Sequence, residues 1–379
     1  MEIKAAKALL PAGLGDELPP RAGFEAAVIE RLLAVFAGYG YERVKPPLVE
    51  FEDSLLSGPG AALTAQTFRL MDPQSHRMMG VRPDMTGQVA RIAATRLAAA
   101  PRPLRLSYAG EVLHVHGTQL RPERQFVQAG FELIGGYSLE GDAEVITVVA
   151  EALQLVGVKT LSLDLALPTF VPAVCRGLGL DAEDAEIARD LLDRKDATAL
   201  LRFGEPAGSV LKTILRAAGP ADTARARLRE LDLEGEAAQL RNDLGDLLVH
   251  LESRAGHLTL TVDPGEFRGF EYQTGTSFTI FSRGVRGELG RGGRYRLENG
   301  EPAVGVTIYL DTLLRAVPEA ASGESVFLPF GAPPEAGHEL RADGWRTVAG
   351  LSATDDDGAE AERLNCTHVL RDGKPRELS

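Results

Sequence analysis

From Arg21 to Tyr39 the apolar residues Phe24, Val28, Leu32, Val35 and Phe36 recur at helical spacing, and Gly38 and Gly40 end the run. That period lays one apolar stripe along a helix, so an amphipathic helix is expected, with Asp16 as a candidate cap before it. Tyr41–Phe51 carries β-formers around Pro46-Pro47. Proline cannot donate to a ladder, which predicts an edge strand. Gln66–Met71 and His76–Val81 alternate on either side of Asp72-Pro73 and predict a hairpin. Thr86–Ala100 is Ala-rich and is stopped by Pro101 and Pro103, as a helix would be. Arg105–His116 and Gln125–Ile134 are strand-like, Asp142–Val156 is helical, and Thr160–Leu167 is again strand-like.

After Pro168 the pattern changes. Residues 169–254 are rich in Ala, Leu, Asp and Arg at helical period with few β-formers, which predicts an inserted helical subdomain. The strand pattern returns at Leu258–Val262, Tyr272–Phe281 and Gly287–Tyr295, and Ala303–Val317 is expected as a closing helix. Pro318–Glu324 reads as a linker. Ser325–Ser379 reads as a short tail with strand-like Ser325–Phe330 and Thr367–Arg371. Hairpin-joined strands with helices on them predict an α+β fold built on a mainly antiparallel sheet. The expected organisation is a core of residues 1–167 and 256–320, an insertion of 168–255 and a C-terminal module of 325–379.

Charge narrows the function classes. The chain has 379 residues with 41 Lys+Arg against 54 Asp+Glu, a formal charge of −13. Grip on a nucleic-acid backbone normally needs a basic face, so this balance argues against it. Only Cys175 and Cys366 are present, which leaves neither a disulfide framework nor a cysteine zinc site. No run reaches the roughly 18 apolar residues of a membrane span. No small-residue cleavage site follows a hydrophobic core at the N-terminus. A soluble protein of a reducing compartment is expected.

Three polar clusters interrupt the apolar segments. Asp84 and Thr86 follow Arg82-Pro83 at a strand-to-helix junction. Their oxygens suit a helix cap, or equally a ligand amine. In Arg124–Glu132, alternation puts Phe126, Gln128, Gly130 and Glu132 on one face. A glycine between two long polar side chains leaves room for a small molecule; a solvated outer face is the other reading. The third cluster, Arg268–Gly275 with Gly292–Tyr295, sets Arg268, Tyr272 and Tyr295 among glycines that suit turns and bulges or a site. No Lys-Ser/Thr follows, so it is not a phosphate-cradling loop. His114-Val115-His116 puts two imidazoles on one strand face without a third ligand nearby, and no metal site is expected. No Ser/His/Asp nucleophile arrangement assembles, and Asp355-Asp356-Asp357 reads as a solvated turn.

Taken in order, these segments resemble the catalytic domain of class II aminoacyl-tRNA synthetases, specifically the histidyl-tRNA synthetase family, from about Leu10 to Val317. Tyr39–Glu50 looks like motif 1, the family's dimer interface, Tyr108–Gly135 like motif 2, and Ala303–Arg315 like motif 3. Arg82–Thr86, Arg268–Gly275 and Gly292–Tyr295 resemble its histidine-specific segments, with Asp84 where the family usually has Glu. The resemblance implies a histidine site. Asp84, Thr86 and Gln128 would hold the α-amino group, Arg268 the carboxylate and Glu132 a ring nitrogen. Tyr272 and Tyr295 would line it, and Gln273 stands where the family has a second tyrosine.

Two departures point away from aminoacylation. His114-Val115-His116 stands where motif 2 has Arg-x-Glu on the ATP α-phosphate, and Thr312 stands where motif 3 has an arginine after the acidic residue. A guanidinium is permanently charged and forks onto phosphate, which neither His nor Thr reproduces. Each lost donor removes several kcal/mol from a phosphoryl centre, so the nucleotide is expected to find no cation there. The tail is also too short and acidic for the family's anticodon-binding domain. This combination is similar to a non-aminoacylating branch of the family, the regulatory subunits of short-form ATP phosphoribosyltransferase. That resemblance implies no catalytic residues, no metal, no cofactor and no tRNA partner. It implies a cytoplasmic homodimer assembled with the short catalytic subunit in a hetero-octamer. There the chain would be required for the first step of histidine biosynthesis and for its feedback inhibition by histidine. An atypical active histidyl-tRNA synthetase and a tRNA-binding paralogue are the alternatives.

Overall fold

The apolar stripe at the start of the chain forms the helix Arg21–Gly38, with Val28, Leu32, Leu33 and Phe36 buried, in a computed structural model that describes residues 9–119, 121–136, 138–267, 272–318 and 323–378. Asp16 does not cap it: Pro20 occupies the cap position and no side chain accepts there. Two compact units, Met1–Pro318 and Glu319–Ser379, make up the chain.

In the first unit the strands are β1 (Glu42–Arg43), β2 (Val49–Phe51), β3 (Arg69–Met71), β4 (Met78–Val81), β5 (Leu104–Leu113) and β6 (Gln125–Ile134). They continue as β7 (Leu161–Ala166), β8 (Gly219–Pro220), β9 (Thr259–Asp263), β10 (Gln273–Ser282), β11 (Gly290–Arg296) and β12 (Pro302–Tyr309). Nine of them form one sheet in the order β1-β5-β6-β12-β11-β10-β7-β9-β8. Within this sheet, among the described residues, only β1 with β5 and β7 with β9 pair in parallel. The α+β architecture of a mainly antiparallel sheet flanked by helices is therefore present. A smaller sheet, β2-β4-β3, holds the predicted hairpin, its turn fixed by Asp72 accepting from the N–H groups of Gln74 and Ser75. Pro46-Pro47 falls between β1 and β2, which lie at the edges of the two sheets, as residues without an N–H donor require.

Strand β6 sits near the middle of the large sheet and shows why the site lies where it does. Its odd positions, Val127, Ala129, Phe131 and Leu133, enter the main core. Phe131 is fully buried, its ring 4.7 Å from Phe36 and 4.5 Å from Tyr41. A buried Phe of this kind contributes about 2–3 kcal/mol. The even positions face the other side, where Phe126 and Ile134 pack with Tyr108, Tyr295, Met85 and Val89. The helix Leu139–Val156 covers the odd face. Ser138 caps its start by accepting from Gly141 N–H, and Gly157 ends it at φ 113°.

Residues 303–309 correct the expected closing helix, because Pro302–Tyr309 is strand β12 and only Leu310–Ala316 is helical. The β-branched run of Val304, Val306, Thr307 and Ile308 favours a strand, and β12 completes its ladders between β6 and β11. Residues 168–255 are helical as expected apart from the two-residue strand β8, which pairs with β9. No helix among the described residues is long and apolar enough to cross a membrane.

The second unit has four strands, β13 (Ser325–Leu328), β14 (Arg346–Ala349), β15 (His368–Arg371) and β16 (Lys374–Glu377), ordered β14-β13-β15-β16. Helices Pro334–Ala342 and Asp357–Arg363 complete it. The acidic run is not a bare turn: Asp356 caps the second helix by accepting from Gly358 and Ala359 N–H. Most of the predicted linker lies outside the described residues.

Candidate functional site

Glu132 projects from the even face of β6 and is 1% exposed. Tyr108, across the ladder on β5, donates to its Oε1 at 3.1 Å, and Tyr295 on β11 donates to its Oε2 at 3.0 Å. Burial pushes the carboxyl up to about 8, against the Tyr295 hydrogen bond that lowers it. At pH 7 the acid is therefore largely protonated rather than the standing carboxylate implied by the resemblance. Burial also raises both tyrosine hydroxyls, which stay protonated. The room expected over Gly130 is not left for a ligand, because the Val306 carbonyl and the Tyr108 hydroxyl end fill the space a Cβ would take.

One step outward, two side chains, Asp84 and Gln128, knit the start of the helix Thr86–Ala94 to β6. Asp84 Oδ1 accepts from Thr86 N–H at 2.7 Å, and Gln128 Nε2 donates to Asp84 Oδ2 at 2.9 Å. Met85 N–H donates to Gln128 Oε1 at 3.2 Å. Asp84 thus serves the helix start, as the capping reading expects, and it also lines the cleft described below. Thr86 Oγ1 lies 3.4 Å from both the Tyr108 hydroxyl and Thr307 Oγ1, and those last two are 2.8 Å apart. Arg82 does not join them; it donates to the Glu111 and Pro46 carbonyls.

These groups border a cleft of about 1120 Å³ lined by Asp84, Thr86, Tyr272, Gln273, Thr307 and Tyr309, among others. Of the residues implied by the resemblance, Asp84, Thr86, Gln128, Glu132, Tyr272 and Tyr295 come together. The rings of Tyr272 and Tyr295 meet edge to face at 6.1 Å. Arg268 lies outside the described residues.

The expected absence of cations in the cleft needs correction. Arg121 and Arg291 both line it. The Arg121 guanidinium stacks over Tyr309 at 4.0 Å and Phe126 at 4.6 Å, and pairs with Asp311 at 2.9 Å. Arg291 pairs with Glu288. At the motif 3 position, Arg315 donates to Thr312 Oγ1 at 3.1 Å. What weighs against phosphate binding is pairing, not vacancy. Pulling Arg121 off a largely buried partner costs about 3–5 kcal/mol. A charge-assisted hydrogen bond to a ligand returns only about 1.5–3 kcal/mol. His114 supplies no cation either: burial lowers its imidazole, and its Nε2 is 2.8 Å from the Pro83 carbonyl.

Sequence reasoning missed Tyr108, Thr307, Arg121 and Tyr309. Arg121 gave no signal of its pairing, since Asp311 lies 190 residues away along the chain and only the fold brings them together. Thr307 was hidden by the helical reading of residues 303–309. Arg294, from the third cluster, belongs to the scaffold. It pairs with Asp142 at 2.7 Å, and burial nevertheless raises that carboxyl to about 6.

The buried acid makes a testable pH signature. A carboxyl at about 8 in the fold, against an ordinary value of 4.5, keeps its proton longer in the folded state. The Glu132 contribution to stability should therefore be most favourable below the unfolded value, decline as pH rises towards 8, and then level off. Glu132→Gln should flatten the Glu132 share of that decline. Calorimetric melting of both proteins at several pH values checks it; parallel curves would show that Glu132 titrates normally.

A family model described as histidyl-tRNA synthetase matches residues 13–313. The chain is 56% identical over 377 residues to the ATP phosphoribosyltransferase regulatory subunit of Rhodospirillum centenum, covering 99% of this chain and 98% of that protein. It is 53% identical to the protein of the same description from Paramagnetospirillum magneticum, with 98% of each covered. Among solved structures, one from Bacillus halodurans described as an ATP phosphoribosyltransferase regulatory subunit/histidyl-tRNA synthetase superposes with TM-score 0.81 at 23% identity, covering 96% of this chain and 97% of that one. Histidyl-tRNA synthetase from Nostoc also superposes with TM-score 0.81, at 17% identity, covering 96% and 91%.

Proposed function

From the premise that this chain belongs to the ATP phosphoribosyltransferase regulatory subunits, within the histidyl-tRNA synthetase-like family, we propose that it senses histidine in the cleft beside Asp84. It is a non-catalytic subunit of that transferase, in histidine biosynthesis, and its partner is the catalytic subunit. The observation that carries the histidine reading is the Asp84 carboxylate, held by Gln128 and Thr86 N–H at the rim of the cleft. A fixed acceptor of this kind suits an α-ammonium group. With the amine at Asp84, Thr86 and Gln128, the ring points to the floor made by Glu132, Tyr272 and Tyr295. Arg268 takes the carboxylate.

Inhibition then follows from linkage. Histidine lowers the partner's activity only by binding the less active assembly more tightly than the active one, and the coupling is reciprocal. We place this in a cytoplasmic hetero-octamer with the short catalytic subunit, in which the chain dimerises through the region of Pro46-Pro47 and binds no tRNA. The binding core is residues 1–167 and 256–320, with 168–255 as an insertion and 325–379 as a separate module.

Calorimetric titration of the purified chain with histidine, with ATP as the control, tests the reading. Histidine should bind and ATP should not. ATP–pyrophosphate exchange dependent on histidine would overturn it in favour of an active synthetase.

A further inference from the structure

The second unit carries the only tryptophan of the chain, Trp345, and a helix end fixes where it sits. The helix Pro334–Ala342 closes on Asp343, and Gly344 follows at φ 90°. That left-handed residue turns the chain back on the helix. Gly344 N–H then donates to the Arg341 carbonyl at 3.1 Å, and Trp345 N–H to the Leu340 carbonyl at 2.9 Å. The indole packs with Leu340 and Ala336, and the His368 ring on β15 meets it edge to face at 4.8 Å.

The ring and the helix end border a hollow of about 370 Å³, lined by Glu339, Asp343, Trp345, His368, Gly373 and Pro375 among others. Glu339 and Asp343 stand four residues apart and so share one side of the helix. Like charges at that spacing repel, and the carbonyl end of a helix disfavours negative charge a second time. The cation of the last turn, Arg341, gives no relief, because it donates to Thr347 Oγ1 at 2.7 Å. Among the described residues no Lys or Arg lines the hollow, and neither carboxylate has a hydrogen-bond or ion-pair partner. Carboxylates that accept N–H groups, set beside an indole whose face attracts positive charge, match an organic cation.

We infer that this hollow receives a guanidinium or ammonium group, and that a Lys or Arg side chain of the catalytic subunit supplies it. Exposed ion pairs and an exposed cation–π contact are individually weak, which holds a free cation only at roughly 10–100 mM. A side chain carried by a bound partner meets the hollow at the high effective concentration that the rest of the interface provides. The inference is independent of the histidine reading and rests on the partnership with the catalytic subunit.

The test uses the full chain with Trp345 as 5-fluorotryptophan, which gives one fluorine NMR resonance whatever tryptophans the partner holds. Propylguanidinium, an arginine side chain without its backbone, should shift that resonance, and sodium chloride at equal ionic strength should not. In the double variant Glu339→Gln, Asp343→Asn the response should weaken about fivefold. The catalytic subunit should also shift the wild-type resonance, and it should bind the double variant about fivefold more weakly with a smaller salt dependence. A propylguanidinium response no larger than that of the salt, or one unchanged in the variant, would overturn the inference. So would a resonance unmoved when the complex forms, or one that shifts with the chain's own concentration, which would seat a second copy in the hollow. The variant removes a repulsion and should fold; if it does not, propylguanidinium against salt on wild type decides.

Discussion

Gly305→Ala is expected to lower the stability of the chain by about 3 kcal/mol. Gly305 pairs with Glu132 across the β12–β6 ladder, and a Cβ built on it falls on the Glu132 carboxyl group. The tip of a glutamate is ordinarily free to move aside. Here it is held from both sides by Tyr108 and Tyr295, so moving it breaks two hydrogen bonds in a site with only about 10 Å³ to spare. Each broken bond that leaves a buried group unpaired costs about 1–3 kcal/mol. Denaturant unfolding, read as a shift in midpoint at constant slope, measures the loss. A midpoint within error of wild type would mean that Glu132 is not locked.

The second large effect is on binding. Asp84→Asn should weaken histidine inhibition of the reconstituted complex by about 30-fold, within the 1.5–3 kcal/mol of a charge-assisted hydrogen bond. Asparagine keeps the shape and an acceptor for Thr86 N–H, although its amide meets that of Gln128 where the carboxylate had accepted. Co-elution with the catalytic subunit on size exclusion separates lost assembly from lost sensing. Inhibition at wild-type histidine concentrations would place the effector elsewhere.

Strand alternation alone assigned the two faces of β6, because a period of two residues is a local property. The same locality misled at Ala303–Val317, where the helical reading ran through a stretch that the sheet claims as β12. Strong β-formers there needed two neighbouring ladders to decide the matter. The cluster of Asp84, Thr86, Gln128 and Glu132 was legible because each lies at a junction or on a face that the pattern marks. Its partners were not.

By itself, then, the sequence determined the family, the alternating faces, the order of most elements and the acceptors around Asp84. Only the tertiary structure decided that Arg121 is spent on Asp311, Phe126 and Tyr309, that Tyr108 and Tyr295 each donate to one oxygen of Glu132, and that Gln273 has an oxygen unpaired among the described residues. The physical reason is range. Periodicity and capping act over a few neighbouring residues, whereas the Tyr295–Glu132 and Arg121–Asp311 contacts join positions 163 and 190 residues apart. Whether a charge is free or neutralised, and whether a polar atom is paired, depends on which distant strands the sheet sets side by side.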